Sequence, residues 1–380
     1  MDTGPRKRPT QADVGRLAQV SAAVVSAVVN GGGSGSGAVR VSEQTAARVW
    51  AAIRQLGYVP NVAARTLAGG RNNIVGVFTY EAVFPTEAKS FYHDFLAGIE
   101  EAAEERGCHI LLFTGSRGEG RRRRIYKDGV NTLQLADGAV LLGQDEDRDE
   151  LAELLRDRYP CVFVGRRDIA GGEASYAAAD YASAALRMVD LIVGAGHRRI
   201  GRIQSDWRHE ALIDREAGFV DGCRRHDATI DSVDTLLTPS NDAIPNLLRM
   251  LLGQRVTCVV TDDHAAAATV CRAAAELGLR VPEDLSVAAL GDYPGDEPGI
   301  RPITTVTTPR RAMGVEAVRL LAELLDAPGD PEPHRAVLDC GLRRGETVAA
   351  PPPGEEGGRR SAGPEQSHRS RGSFDAGPAL

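Results

Sequence analysis

Residues 10–30 read TQADVGRLAQVSAAVVSAVVN, the pattern of two short helices around a tight turn. Thr10 is a good N-cap, and Asp13 three positions on completes a weak capping box. Val14, Leu17 and Ala18 fall at i, i+3 and i+4, the spacing of a buried stripe. Gln19 and Val20 form the turn, and Ser21 caps the second helix. Val24, Val25, Val28 and Val29 supply its apolar face. Asn30 and Gly31 end it, since both tolerate the left-handed backbone of a helix stop. A third helix follows, capped by Ser42, with Val49, Ile53 and Leu56 on its inner face and Gly57 at its end. This spacing suits a plain three-helix bundle. It equally suits a head whose second helix enters a major groove with its N-terminal residues at the base edges.

Charge separates the two readings. Residues 1–72 hold nine basic side chains and three acidic ones (Asp2, Asp13, Glu43), a formal +6; the whole chain is −7, so the remainder carries −13. A basic head on an acidic body points the head at a polyanion, with phosphate contacts setting register and salt dependence. Residues 31–40, GGGSGSGAVR, read as a flexible loop between the second and third helices.

The body starts at Asn73. IVGVFTY at 74–80 is apolar on both faces, as buried parallel strands are. A helix is expected over 90–106, with Phe91, Phe95, Ile99 and Ala102 inward. Strands are expected over 108–114, 138–142 and 161–165. The rhythm resumes after Gly196, with strands at 199–203, 258–261 and 285–290 and helices at 210–225, 241–252 and 264–277. Such alternation means βαβ units and parallel sheets, and the length implies two lobes.

Other chemistry is thin. GSRGEG at 115–120 is not the dinucleotide fingerprint, and there is no P-loop. The eight His are scattered, the basic run 121–124 reads as a solvated helix face, and no cofactor or metal is expected. The six Cys form no CxxC and read as buried thiols in a reducing cytoplasm. No signal peptide or membrane-spanning run is legible. Residues 351–380, rich in Pro, Gly, Ser and Arg, read as disordered.

The head also carries a resemblance. Asp13-Val14, Val20-Ser21, Val25-Ser26 and Val28-Val29-Asn30 are similar to the start of LacI/GalR (lac-repressor) family regulators. So are Val41-Ser42, Thr45, Arg48-Val49, the run LGYVPN at 56–61 and ARTL at 64–67. The resemblance implies an N-terminal all-α helix-turn-helix domain (1–60), a hinge helix (61–72), a two-lobed α/β periplasmic-binding-protein type I sensor (73–350) and a tail (351–380). It implies a cytoplasmic, nucleoid-associated repressor that binds a palindromic operator as a homodimer and answers to a sugar-like or nucleoside effector.

Residue by residue, the resemblance assigns Thr10, Ser21, Ala22, Ala23, Val24, Ser26, Ala27, Asn30 and Tyr58 of the head to DNA, with Asn61, Ala64 and Leu67 of the hinge. Leu67 would wedge into the minor groove. Ala22, Ala23 and Ala27 depart from the family, which favours polar side chains there; alanine can touch a thymine methyl but donates nothing. Phe91, Asp180, Arg215, Asp262 and Asp292 are assigned to the effector. Gly291-Asp292 stands where the family has an Asp pair, so one carboxylate is missing. The resemblance places chain crossings between lobes near Leu191, Thr307 and Val337, and a dimer face that includes the helix after Pro309. The alternatives are a solute-binding protein, an orphan sensor without operator reading, and an enzyme on the same scaffold.

Overall fold

The computed structural model describes residues 9–29, 41–59, 71–81, 91–114, 123–143, 147–170, 172–227, 229–292, 299–327 and 332–352. In the head these form α1 (Gln11–Ala18), α2 (Ala22–Val29) and α3 (Glu43–Leu56). The capping box of α1 is complete: Thr10 Oγ1 accepts from Asp13 N, and Asp13 accepts from Thr10 N at 3.0 Å. Gln19 turns the chain with φ 53°, so α2 leaves α1 at 102°. The turn packs so closely that a Cβ on Gly15 would lie 2.8 Å from the Val20 carbonyl oxygen. Val14, Ala18, Val25, Val28, Val49, Ala52, Ile53 and Tyr58 form one small core.

The body holds two six-stranded sheets. The first lobe is built on β1 (Ile74–Thr79), β2 (His109–Phe113), β5 (Gly138–Leu142), β6 (Cys161–Val164), β7 (Tyr176–Asp180) and β13 (Arg335–Asp339). Their order is β13-β7-β6-β5-β1-β2. The second is built on β8 (Arg199–Ser205), β9 (Ser232–Thr238), β10 (Cys258–Thr261), β11 (Ser286–Ala289), β12 (Thr304–Thr307) and β14 (Gly341–Arg343), in the order β14-β12-β11-β10-β8-β9. All neighbours are parallel except β12 and β14. The short hairpin β3 (Tyr126–Lys127) and β4 (Val130–Asn131) stands apart. The expected strands are recovered within a few residues at each end, and the 241–252 helix opens as a 3-10 turn before continuing as a helix at Ile244–Gly253.

The helices α4 (His93–Glu105), α5 (Arg148–Arg156), α6 (Tyr181–Gly194), α7 (Glu210–Arg225), α8 (Ile244–Gly253), α9 (His264–Glu276) and α10 (Arg310–Asp326) cover the sheets. One crossing differs from expectation. Helix α6 packs on α7 of the second lobe, so the chain changes lobes at Asp180–Tyr181 rather than near Leu191. The third crossing lies at Cys340, between β13 and β14, close to the expected Val337. The second, after Thr307, is as expected. Helix α10, the helix after Pro309, packs on α4 of the first lobe, where Gly98 and Gly314 let the backbones meet. The first residues of the body are fastened by Asp137, whose carboxylate accepts from Asn72 N at 2.7 Å and Ile74 N at 3.1 Å.

Among the described residues no single helix is long and apolar enough to cross a membrane; the only bent pair that passes by composition is α1 with α2, the head itself.

Candidate DNA-reading head and effector cleft

The N-terminal end of α2 faces solvent. Ser21, Ala22 and Ala23 are exposed, Val24, Ser26 and Ala27 are half-buried, and Val25 and Val28 turn inward. Ser21 Oγ accepts from Val24 N at 3.3 Å, which caps the helix and leaves the remaining first-turn N–H groups for a phosphate. Thr10 is exposed, its hydroxyl engaged with Asp13. Tyr58 is only 9% exposed, so the structure gives it a packing role in the head that the sequence reading had not. Asn30, Asn61, Ala64 and Leu67 lie outside the described residues.

Between the lobes is a cavity of about 60 Å³. Phe91, Tyr92, Phe95 and Tyr181 form aromatic walls, and Arg166, Arg167, His209 and Asp214 supply polar groups. Phe91 meets Tyr92 and Phe95 edge-on at 5.1 and 5.8 Å. The lobes are tied across this cleft. Arg166 of the first lobe donates to both oxygens of Asp214, at 2.8 and 3.3 Å. Asp168 N donates to Glu210 at 2.9 Å, and Arg148 pairs with the same carboxylate at 2.7 Å. Burial, followed by the nearby Arg215 and Arg167 charges, pushes the His209 imidazole down to about 4, so it is neutral at pH 7. Tyr92 donates to Glu81, and burial first, then that carboxylate, pushes its phenol well above the ordinary range.

The family models fit this architecture. Residues 10–61 match the bacterial regulatory proteins of the lacI family, and residues 189–348 match a periplasmic binding protein-like domain. The HTH-type transcriptional regulator CelR of Thermobifida fusca is 32% identical over 346 residues, covering 89% of this chain and 97% of that one. The chain belongs to the LacI family. It is a DNA-binding transcription regulator. The HTH-type transcriptional repressor CytR of Escherichia coli is 28% identical over 350 residues, covering 90% and 97%. A solved CelR–cellobiose complex superposes with TM-score 0.57 at 27% identity, covering 90% of this chain and all of that one. A lac repressor dimer bound to operator and an anti-inducer superposes with TM-score 0.64 at 23% identity, covering 90% and 100%, a likeness of fold.

The five residues assigned to the effector fare differently within this LacI-family body. Phe91 lines the cavity. Arg215 stands just outside the lining, its guanidinium 4.3 Å over the Tyr181 ring, which does line it. Asp180 caps α6, accepting from Ser183 N at 2.9 Å. Asp262 is 2% exposed, is absent from the cavity lining, and has both oxygens engaged inside the second lobe, one by Arg202 Nη2 and one by Ser205 N, each at 2.9 Å. Asp292 is held by Arg310 through Nη1 at 3.0 Å and Nη2 at 2.8 Å, and also lies off the cavity lining. Sequence reasoning missed Arg166, Arg167, His209 and Asp214. Their signal was positional: Arg166 and Arg167 follow β6, and His209 precedes α7, at the strand ends where open α/β sheets hold ligands.

Proposed function

We propose that this regulator is a repressor that binds a roughly palindromic operator as a homodimer, through α2 and the hinge at 61–72. A sugar- or nucleoside-like effector in the interlobe cleft would release it. Two-fold symmetry supports two half-sites and lets the paired hinges insert Leu67. The protein works on chromosomal DNA in the cytoplasm and turns nothing over. The domain limits follow the same reading: head 1–60, hinge 61–72, sensor 73–350, tail 351–380.

The observation that carries this reading is the pairing of two features in one chain. An exposed first turn of α2 precedes, in the chain, a body of two lobes tied to each other across a cleft. A ligand that binds one degree of lobe closure better than another shifts the equilibrium by its differential affinity. The relatives point the same way, since one was solved with cellobiose and another as a dimer on its operator.

Selection of bound sequences from a random duplex pool, at moderate salt, tests it. Enrichment of a palindrome with a flexible central step supports the repressor. Salt-sensitive binding without enrichment favours an orphan sensor, the reading suggested by Ala22, Ala23 and Ala27 on a face that would meet bases.

A further inference from the structure

We infer that the effector carries an acidic group, a carboxylate or a phosphate, and that Arg215 selects for it. This rests on the effector-controlled reading above and narrows it. The argument is a charge inventory of the cleft and its surroundings. Six carboxylates stand there; each accepts a hydrogen bond, and four of them pair with an arginine. Glu81 takes the Tyr92 hydroxyl, and Asp180 takes Ser183 N. Glu210 takes Arg148 and Asp168 N; Asp214 takes Arg166; Asp262 takes Arg202; Asp292 takes Arg310. Arg215 is left over. Among the described residues its guanidinium makes no hydrogen bond or ion pair, and its Nε is buried without a partner.

The place of the missing acid is visible. Gly291 stands where the LacI family pattern, by resemblance, has a carboxylate. A Cβ there would lie 3.0 Å from Arg215 Nη2 and 3.1 Å from its Cζ. The guanidinium therefore packs against the very position from which an Asp side chain would have extended. Its Cζ lies over the Tyr181 ring, 4.3 Å from the centroid, a contact that leaves the charge in place. His209 beside it is neutral and adds no negative charge. A planar, permanently charged fork with unused donors is matched by a bidentate oxyanion. Tyr181, against which Arg215 lies, lines the cavity together with His209, so the acidic group sits at that end and the rest of the ligand lies toward Phe91 and Tyr92.

The test is calorimetry on the full chain with a fixed panel. The acids are galacturonate and glucose 6-phosphate; the neutral probes are glucose, cellobiose and cytidine. Tighter binding of either acid than of every neutral probe, by at least tenfold, is expected. Which acid wins identifies carboxylate or phosphate. Arg215→Met should erase the preference and Arg215→Lys should keep part of it, because the charge remains. Neutral probes binding as well as the acids, neither acid binding, or a preference that survives Arg215→Met overturns the proposal. The repressor reading fails separately, in the duplex selection, so a neutral effector that releases a selected operator would sink this inference alone.

Discussion

Asp262 offers the sharpest test of the division between scaffold and site. It is 2% exposed, and its partner Arg202 is 1% exposed with the guanidinium 4.9 Å over the Phe219 ring. Among the described residues that guanidinium makes one hydrogen bond, the ion pair at 2.9 Å, and Arg202 Nε has no partner. Asp262→Ala leaves a buried cation uncompensated and strips the acceptor from Ser205 N. Breaking a buried pair from one side costs about 3–5 kcal/mol. For a folding unit the size of one lobe that is a loss of roughly 10 °C in Tm. Asp262→Asn keeps an acceptor and loses the charge, so it should fall between. Arg202→Met with Asp262→Leu should recover most of the loss, because an apolar pair of similar volume removes the desolvation problem. Urea unfolding of the three variants measures this. A loss below about 1 kcal/mol for Asp262→Ala would refute the reasoning. So would an Asp262→Asn variant of undiminished stability that has lost its effector response, since that is the signature of a ligand contact.

Three further outcomes are expected. In Gly218→Ala the new Cβ would lie 1.9 Å from the Ala182 carbonyl oxygen, forcing α6 and α7 apart, whereas Gly194→Ala meets nothing within 4 Å. The first should lose about 2 kcal/mol and the second gain about 0.5–1 kcal/mol, read by thermal melting; equal melting temperatures would contradict the packing. His209 is held at about 4 when folded against 6.5 unfolded, so above pH 6.5 it contributes no pH dependence. Below that the unfolded chain gains the proton first, and stability falls toward pH 4 by up to about 1.4 kcal/mol per unit. His209→Gln should flatten that part of the curve, and parallel curves for variant and parent would count against it. Ser21→Ala removes the acceptor for Val24 N and should cost the head about 0.5–2 kcal/mol and weaken operator binding in step, measured by melting and gel shift; an unchanged melt would mean the cap is idle.

The alternation of apolar runs made the parallel lobes legible, and the strand over Cys258–Thr261 was bounded to the residue. Helices with their own caps, such as α1 and α3, were equally plain. What stayed hidden depends on partners distant in sequence. Asp262 reads as a free carboxylate until Arg202, 60 positions earlier, is folded against it, and Asp292 until Arg310, 18 positions later, closes on it. The crossing at Asp180 was misplaced because helical periodicity shows an apolar face without saying which sheet will cover it. Arg166, Arg167 and His209 lie in connections, where no periodicity marks them.

Each sheet takes one of its edge strands from the end of the chain, β13 for the first lobe and β14 for the second, with only Cys340 between them. Beyond β14, Thr347 bonds Thr304 N and Val287, and Ala349 bonds both Ser286 and His197. The consequence concerns time. During synthesis the three helices of the head are made once Tyr58 is added, while the first lobe lacks its edge strand until Asp339 and the second lacks its last bonds until Ala349. A nascent regulator thus has a finished DNA-reading end long before it has a finished sensor. The long-range pairing that closes both lobes is also the slow kind of folding event. Truncation just before Arg335 would leave both lobes short of a strand at once.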